Sequence, residues 1–164
     1  MNQLLLALLL VSGLSSAAIV PESIRTQDKT VICNTKTGTI RNVTDAEKKA
    51  VYAKAGVTPG DTKLCPAKPY AFEVDHRISL ELGGNNDISN LQLQAYCTLG
   101  QLTATDGKPM ADSNGKIRSG AVPLYKGLYD AHAKDKAENQ THADICSGKV
   151  TPAEAQDKIY NWKN

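Results

Sequence analysis

The chain has 164 residues, of which 22% are charged and 41% hydrophobic, and its formal net charge at pH 7 is +2. This length supports one domain with one substantial core, and the composition excludes disordered and fibrous classes. The small net charge neither indicates a nucleic-acid partner by itself nor argues against one.

The first residues are typical of a targeting segment. Residues 4–11 are uninterruptedly apolar, and mostly small residues follow them up to Ala18. The stretch is too short to span a bilayer, and it ends in small residues suitable for cleavage, although no Lys or Arg precedes it. We expect residues 1–18 to be a signal peptide and residues 19–164 to form one domain without a membrane anchor. A buried N-terminal strand or helix is the alternative.

Four cysteines follow, and no two of them form a Cys-x-x-Cys pair: Cys33, Cys65, Cys97 and Cys146. Zinc sites made of four thiolates usually contain such pairs, so we expect two disulfides and an oxidising compartment, secreted or periplasmic. Three connectivities are possible, and we expect Cys33 to pair with Cys65 and Cys97 with Cys146. Each bridge would contribute about 2–4 kcal/mol of stability.

Two elements are predicted before the centre of the chain. Residues 31–33 indicate a short strand or an extended entry. Thr44 and Glu47 form a capping box and Gly56 follows the last turn, which predicts a helix over Asp45–Ala55.

Two strands and a hairpin insertion are predicted next. Residues 70–74 and 90–96 have strand-like patterns. Residues 103–120 contain the turn dipeptides Asp106-Gly107 and Asn114-Gly115, which indicate a hairpin excursion rather than a calcium loop, because the ligand spacing of such a loop is absent.

Two helices are predicted at the C-terminal end. The first runs from Leu124 to Cys146, with Gly148 as its stop signal. The second begins at a capping box formed by Thr151 and Glu154, with a proline at its first position.

The most informative segment is residues 73–94, which reads EVDHRISLELGGNNDISNLQLQ. Asp75 and His76 end one apolar run, Gly83-Gly84 turns the chain, and Asn90 opens a second apolar run. Neighbouring side chains on a strand point to opposite faces, so Asp75 and His76 reach one site only where the strand ends or bends. The spacing predicts that a carboxylate, an imidazole and a carboxamide meet there.

These residue types suit metal-assisted phosphodiester cleavage. Asp75 can give a hard oxygen to a divalent metal, and His76 can act as general base on water because imidazole titrates near neutrality. The metal neutralises phosphate charge and stabilises the leaving oxygen. Asn90 can tie the returning strand to the His76 loop. Alone, each feature has an ordinary explanation: a surface ion pair, a strand-entry cap and a hairpin turn.

The run Asp75-His76, Leu80, Gly83-Gly84 and Asn90-Leu91-Gln92 resembles the HNH endonuclease family, whose core is the ββα-metal (His-Me) finger. It is most similar to a secreted bacterial-type subgroup. Flanking features of that subgroup recur over most of the chain: Thr30–Cys33, Arg41, Val51-Tyr52, Ala131-x-x-Lys134-Asp135-x-x-Glu138, Cys146-x-Gly148, and Ala155-Gln156 through Trp162.

The resemblance implies an α+β fold with a finger core over about residues 70–146, interrupted by the insertion, braced by disulfides and flanked by helices. It implies that Asp75 binds metal, His76 is the general base and Asn90 positions it. Family members typically cut DNA, and some cut RNA, leaving a 5′-phosphate and a 3′-hydroxyl.

The chain departs from the family at the third motif position. The expected offset, roughly nine residues beyond Asn90, lands on Leu99, which cannot bind a metal. A face of the 124–146 helix offers substitutes, because polar residues interrupt its apolar stripe. We expect Glu138 and His142, four residues apart, to be the missing ligands, with Asp135 in reserve and His132 off the face. An exposed charged face is the alternative. The face reads Leu128, Ala131, Asp135, Glu138, His142, Ile145.

The metal is expected to be Mg²⁺, with Mn²⁺, Ca²⁺ or Zn²⁺ as alternatives. Arg77, Lys116 and Arg118, with Lys108 and Lys126 nearby, are candidate phosphate-binding residues, and each is equally well explained as solvated surface charge. No pattern for sequence readout is visible, so weak or no base specificity is expected.

Two functions remain open. The first is a secreted, monomeric, metal-dependent endonuclease acting on DNA or RNA. The second is a non-catalytic secreted nucleic-acid-binding module on the same scaffold, in which the displaced third ligand marks lost activity. The sequence alone leaves the choice to experiment.

Overall fold

The computed structural model describes residues 21–66, 71–104, 106–114, 116–118 and 128–162. The predicted signal peptide, the first residue of the predicted strand at 70, and Lys126 lie outside these ranges. Within them, the chain is a mixed helix-and-sheet protein with two disulfides, which confirms the expected class at that level. No helix in the described part of the chain is long and apolar enough to cross a membrane.

Two helices form where their capping signals predict them. Helix α2 spans Asp45–Ala55, with both bonds of the Thr44–Glu47 capping box present and Gly56 at a positive φ of 69°. Helix α4 spans Pro152–Tyr160 and begins with the second predicted capping box. Both predictions are confirmed, because a capping box satisfies the first free N–H groups of a helix with residues adjacent in sequence.

The segment predicted as a strand at residues 31–33 is helical. It lies in α1, which spans Lys29–Asn34. The Asp28 carboxylate accepts hydrogen bonds from the backbone N–H groups of Thr30 and Val31, at 2.7 and 3.2 Å. This N-cap outweighs the strand preference of the β-branched residues that follow it.

The sheet has three strands in the order β1-β2-β3. Strand β1 (Phe72–His76) pairs antiparallel with β2 (Leu91–Ala95), and the register places Asp75 opposite Gln92. Both strands lie within two residues of their predicted bounds. Strand β3 (Leu128–Tyr129) adds a short parallel pairing to β2.

This third strand corrects the predicted helix over residues 124–146. Helix α3 spans Ala131–Ser147, and Gly148, the predicted stop signal, caps it with a positive φ of 80°. Its start is later than predicted because Leu128 and Tyr129 bond to β2, and Asp130 turns the chain with a φ of 65°. Sheet pairing therefore overrides the helical pattern at this end.

The disulfides are Cys33–Cys146 and Cys65–Cys97, so the expected connectivity is wrong. Helix α1 packs against α3, which brings Cys33 to Cys146 across 113 residues of sequence. Cys65 and Cys97 are fully buried in the apolar cluster around the sheet and α2. Pairing follows tertiary packing, which spacing in the sequence does not reveal.

The predicted turn at Asp106-Gly107 forms, with Gly107 at a positive φ of 75°, whereas Gly115 of the second predicted turn lies outside the described residues. Isolated antiparallel bridges join Thr103 to Pro109 and Ala111 to Ile117. Leu102 and Met110, which are 1% and 2% exposed, anchor the insertion in the apolar cluster around the sheet.

A second apolar cluster joins α1, α3, α4 and the segment after β1. Its residues are Ile32, Ile78, Leu82, Ile145, Ala155, Ile159 and Tyr160.

Candidate active site

The candidate site lies at the C-terminal end of β1, where the strand leaves the sheet. Asp75 and His76 are its last two residues. The His76 residue is 2% exposed, whereas the Asp75 side chain is 17% exposed. Both line one polar cleft of about 300 Å³. The strand end thus brings the two neighbouring side chains to a common cavity, as the sequence predicts.

The glycine pair after β1 allows a close approach of backbone segments. Gly83 has a φ of 89°, and a Cβ there would lie 2.3 Å from the Thr26 carbonyl oxygen. A Cβ on Gly84 would lie 1.9 Å from the carbonyl oxygen of Ile78. Larger side chains at either position would displace the loop that follows His76.

Asn90 fastens that loop. It is fully buried, its Oδ1 accepts from the Ile78 N–H at 2.9 Å, and its Nδ2 donates to the carbonyls of Ile78 and Asn85. The backbone N–H of Arg77 donates to the Asn90 carbonyl at 2.6 Å. Asn90 therefore joins the two ends of the β1–β2 connection, and it fixes the backbone beside His76 rather than the imidazole.

The imidazole itself contacts Asn86, a residue that the sequence analysis missed. Asn86 Nδ2 donates to the Ile40 carbonyl at 2.7 Å, and its Oδ1 accepts from the Asn42 N–H at 3.1 Å. The orientation of this amide leaves Oδ1 facing His76 Nε2, at 3.3 Å. The network assigns the hydrogen to Nε2, so Nδ1 is the basic nitrogen of His76.

Burial lowers the pKa of His76 from its ordinary 6.5, and the neighbouring Asp75 and the bond to Asn86 oppose that shift only in part. The charges of Arg41 and Lys134 lower this pKa further. At neutral pH the imidazole is therefore unprotonated, which is the state that a general base needs.

A lysine for which no role was predicted lies beside the pair. Lys134 of α3 is fully buried, and its Nζ donates to Asp75 Oδ2 at 2.6 Å and to the His76 carbonyl at 2.9 Å. It also donates to Glu138 Oε1, one turn along the helix. Lys134 thus connects α3 to the end of β1.

The charges of this cluster are strongly perturbed. Burial disfavours the Lys134 ammonium, but Asp75 and Glu138 outweigh burial, and the pKa of Lys134 is raised. Burial raises the pKa of Glu138 to about 8, despite the opposing charge of Lys134. Lys134 is therefore charged at neutral pH.

The buried face of α3 differs from the predicted one by one residue at two positions. It contains Lys134 and Thr141 in place of Asp135 and His142. Asp135 is exposed, although it still lines the cleft, and His142 is half-buried. The predicted Glu138 does lie on the buried face, and His132 is exposed as expected. The face comprises Ala131, Lys134, Glu138, Thr141 and Ile145.

The structure does not bring His142 to Asp75. Its Nε2 lies 3.7 Å from Cys146 Sγ. In the described part of the chain, only Cys33, His142 and Cys146 form a group of three potential metal ligands within 4.8 Å of one another. Two of these are the sulfurs of a disulfide, which lack the thiolate charge that binds metals.

The predicted phosphate-binding residues lie elsewhere. The Arg77 guanidinium stacks on the Tyr160 ring, 4.3 Å from its centroid, and Arg118 pairs with Asp106 at 3.0 Å. The residues that line the cleft do not include Arg77, Lys116 or Arg118, but they do include Arg41. Arg41 is one of the flanking features that resemble the subgroup, but no pattern in the sequence predicted its place beside His76.

The donor atoms of the cleft suit a hard divalent cation. Its acidic lining consists of Asp75, Glu81, Asp135 and Glu138. Carboxylate oxygens are the ligands that Mg²⁺, Mn²⁺ and Ca²⁺ prefer. In the described structure no three of these carboxyl groups lie within 4.8 Å of one another, and the Lys134 ammonium lies between Asp75 and Glu138.

Comparisons of the chain with protein-family models, with curated proteins and with solved structures found no match.

Proposed function

We propose that the protein is a secreted, metal-dependent endonuclease with a ββα-metal finger core, hydrolysing phosphodiester bonds of DNA or RNA with little base specificity. The observation that carries the proposal is that Asp75 and His76 line one polar cleft at the end of β1, with His76 Nε2 held by Asn86 Oδ1. The disulfides support the oxidising compartment, because such bonds persist outside the reducing cytosol.

The chain's own groups account for the nucleophile. His76 Nδ1 takes a proton from water as the water oxygen attacks phosphorus, and the bond from phosphorus to the departing 3′ oxygen breaks. Asn86 holds the ring, and Asn90 holds the backbone that carries it. Asp75 and Glu138 would hold the divalent cation, which would supply charge neutralisation at the phosphate and stabilisation of the departing oxygen. By the resemblance, the products carry a 5′-phosphate and a 3′-hydroxyl.

Arg41 is the cation placed to hold the substrate. It is exposed, lines the cleft with Thr37 and Asn139, and acts electrostatically on His76. A guanidinium here can bind a phosphate oxygen without reading a base, which agrees with the low specificity that we propose.

A plasmid-cleavage assay with Mg²⁺, with and without chelator, tests this function. His76→Ala should lower kcat by about 10²–10⁴-fold, because it removes the general base. His132→Ala is the matched control, since His132 is exposed on α3, and it should cut like the parent.

Equal cutting by His76→Ala would remove His76 from the mechanism. If the parent binds DNA but cuts neither DNA nor RNA with Mg²⁺, Mn²⁺, Ca²⁺ or Zn²⁺, the chain is the non-catalytic binding module instead. The Lys134 ammonium between the two carboxyl groups is the observation that keeps this second function open.

A further inference from the structure

The buried Lys134 ammonium has a complete shell of oxygen acceptors. An ammonium has three N–H donors, and three oxygens accept from this one: Asp75 Oδ2, the His76 carbonyl and Glu138 Oε1. The residue is fully buried. Its desolvation is therefore offset by one acceptor for each donor, which is the condition under which a buried charge is tolerated.

The same oxygens form part of a ligand set for a divalent cation. Two carboxyl groups and a backbone carbonyl are common ligands of hard metals. The carboxyl groups come from different elements, Asp75 from β1 and Glu138 from α3. The Lys134 ammonium lies between the two carboxyl groups and offsets the cost of holding them close together.

We propose that Lys134 is a positioning residue that acts as a resident cation, and that a divalent metal competes with its ammonium for Asp75 and Glu138. The inference rests on the proposed function for the identity of the metal-binding carboxylates. Two consequences follow. The protein folds without metal, because Lys134 supplies the charge, and its metal affinity is reduced, because the ammonium must leave before both carboxylates can bind the ion.

The test is a Mn²⁺ titration of the full chain. Calorimetry measures the Mn²⁺ affinity, and thermal unfolding measures the Tm. Lys134→Met should lower the metal-free Tm by about 5–10 °C, since it leaves a buried carboxylate without its cation. It should also bind Mn²⁺ about tenfold more tightly than the parent, and Mn²⁺ should raise its Tm more than it raises that of the parent.

Lys136→Met is the matched control, because Lys136 is exposed on the same helix. It should leave both the metal-free Tm and the Mn²⁺ affinity at the values of the parent. Lys134→Gln guards against loss of the fold, since its amide keeps N–H donors for the same oxygens but carries no charge. It too should bind Mn²⁺ more tightly than the parent.

Unchanged or weaker Mn²⁺ binding in both Lys134 variants would overturn the proposal, because it would show that the ammonium does not compete with the ion. These readouts require no nuclease activity. Tighter binding in the variants of a chain that cuts no nucleic acid would support the inference while refuting the proposed function.

Discussion

The two faces of the β1–β2 pair carry different kinds of side chain, apolar on one face and polar on the other. Residues directly opposite each other in an antiparallel pair share a face. One face pairs Phe72 with Ala95 and Val74 with Leu93, and it joins the apolar cluster with α2. The other pairs Glu73 with Gln94 and Asp75 with Gln92. The first four of the five pairs therefore alternate between apolar and polar side chains, and the fifth, His76 with Leu91, lies at the end of the strand, where His76 meets the cleft.

The polar face is incompletely satisfied. Gln94 is fully buried, and neither its Nε2 nor its Oε1 has a hydrogen-bond partner within the described structure. Burial raises the pKa of Glu73, whose carboxylate accepts from the Tyr96 hydroxyl at 2.6 Å. Unsatisfied buried groups lower stability, so the apolar face stabilises the protein, whereas the unpartnered polar groups of the other face destabilise it.

The largest effect should come from the apolar face. Leu93→Ala removes a side chain that is 2% exposed and leaves a cavity, so we expect the free energy of unfolding to fall by about 2–5 kcal/mol. Urea denaturation measures it. Ile117→Ala, at a residue 48% exposed in the insertion, is the control and should change stability by less than about 0.5 kcal/mol. A Leu93→Ala loss as small as the control's would remove the distinction between the faces.

The polar face should respond in the opposite direction. Gln94→Leu replaces a buried amide that lacks hydrogen-bond partners with an apolar group of similar size. We therefore expect the free energy of unfolding to rise by about 1 kcal/mol. The same denaturation series measures it. Gln140→Leu, at an exposed position on α3, should be nearly neutral. If Gln94→Leu instead destabilises the protein by more than about 1 kcal/mol, the amide is satisfied and the polar face is as well packed as the other.

Local signals in the sequence were sufficient for some elements. Helix α2 has the predicted bounds Asp45–Ala55, because its capping box and its terminal glycine are adjacent in sequence to the turns that they satisfy. The strands flanking the glycine pair were also placed within two residues, since alternation and turn residues mark them directly.

Features that depend on distant contacts were not predicted. Asn86 orients His76 only because Ile40 and Asn42 hold its amide, and they lie more than forty residues away in sequence. The buried face of α3 was misplaced because the pairing of β3 with β2 sets where the helix begins. No role was predicted for Lys134 because lysines are generally exposed, whereas this one is fully buried. Its spacing of four from Glu138 was the one available signal of a pair.

The smallest expected effect concerns the pH dependence at the end of β1. Burial holds the pKa of His76 below 6.5, so kcat/KM should be retained as the pH falls to 6.5 and be lost only below it, as the imidazole becomes protonated.

The charge of Arg41 lowers the pKa of His76 further, so Arg41→Gln should move the acid midpoint upward, by less than about one pH unit. This shift should shrink in high salt. The measurement is kcat/KM of the parent and of Arg41→Gln at saturating Mg²⁺, across a pH range of about 4.5–8 that brackets the titration of histidine. Arg118→Gln, in the insertion and paired with Asp106, should leave the midpoint in place. A parent midpoint above 6.5, or a downward shift in Arg41→Gln, would mean that the titrating base is not the buried imidazole of His76.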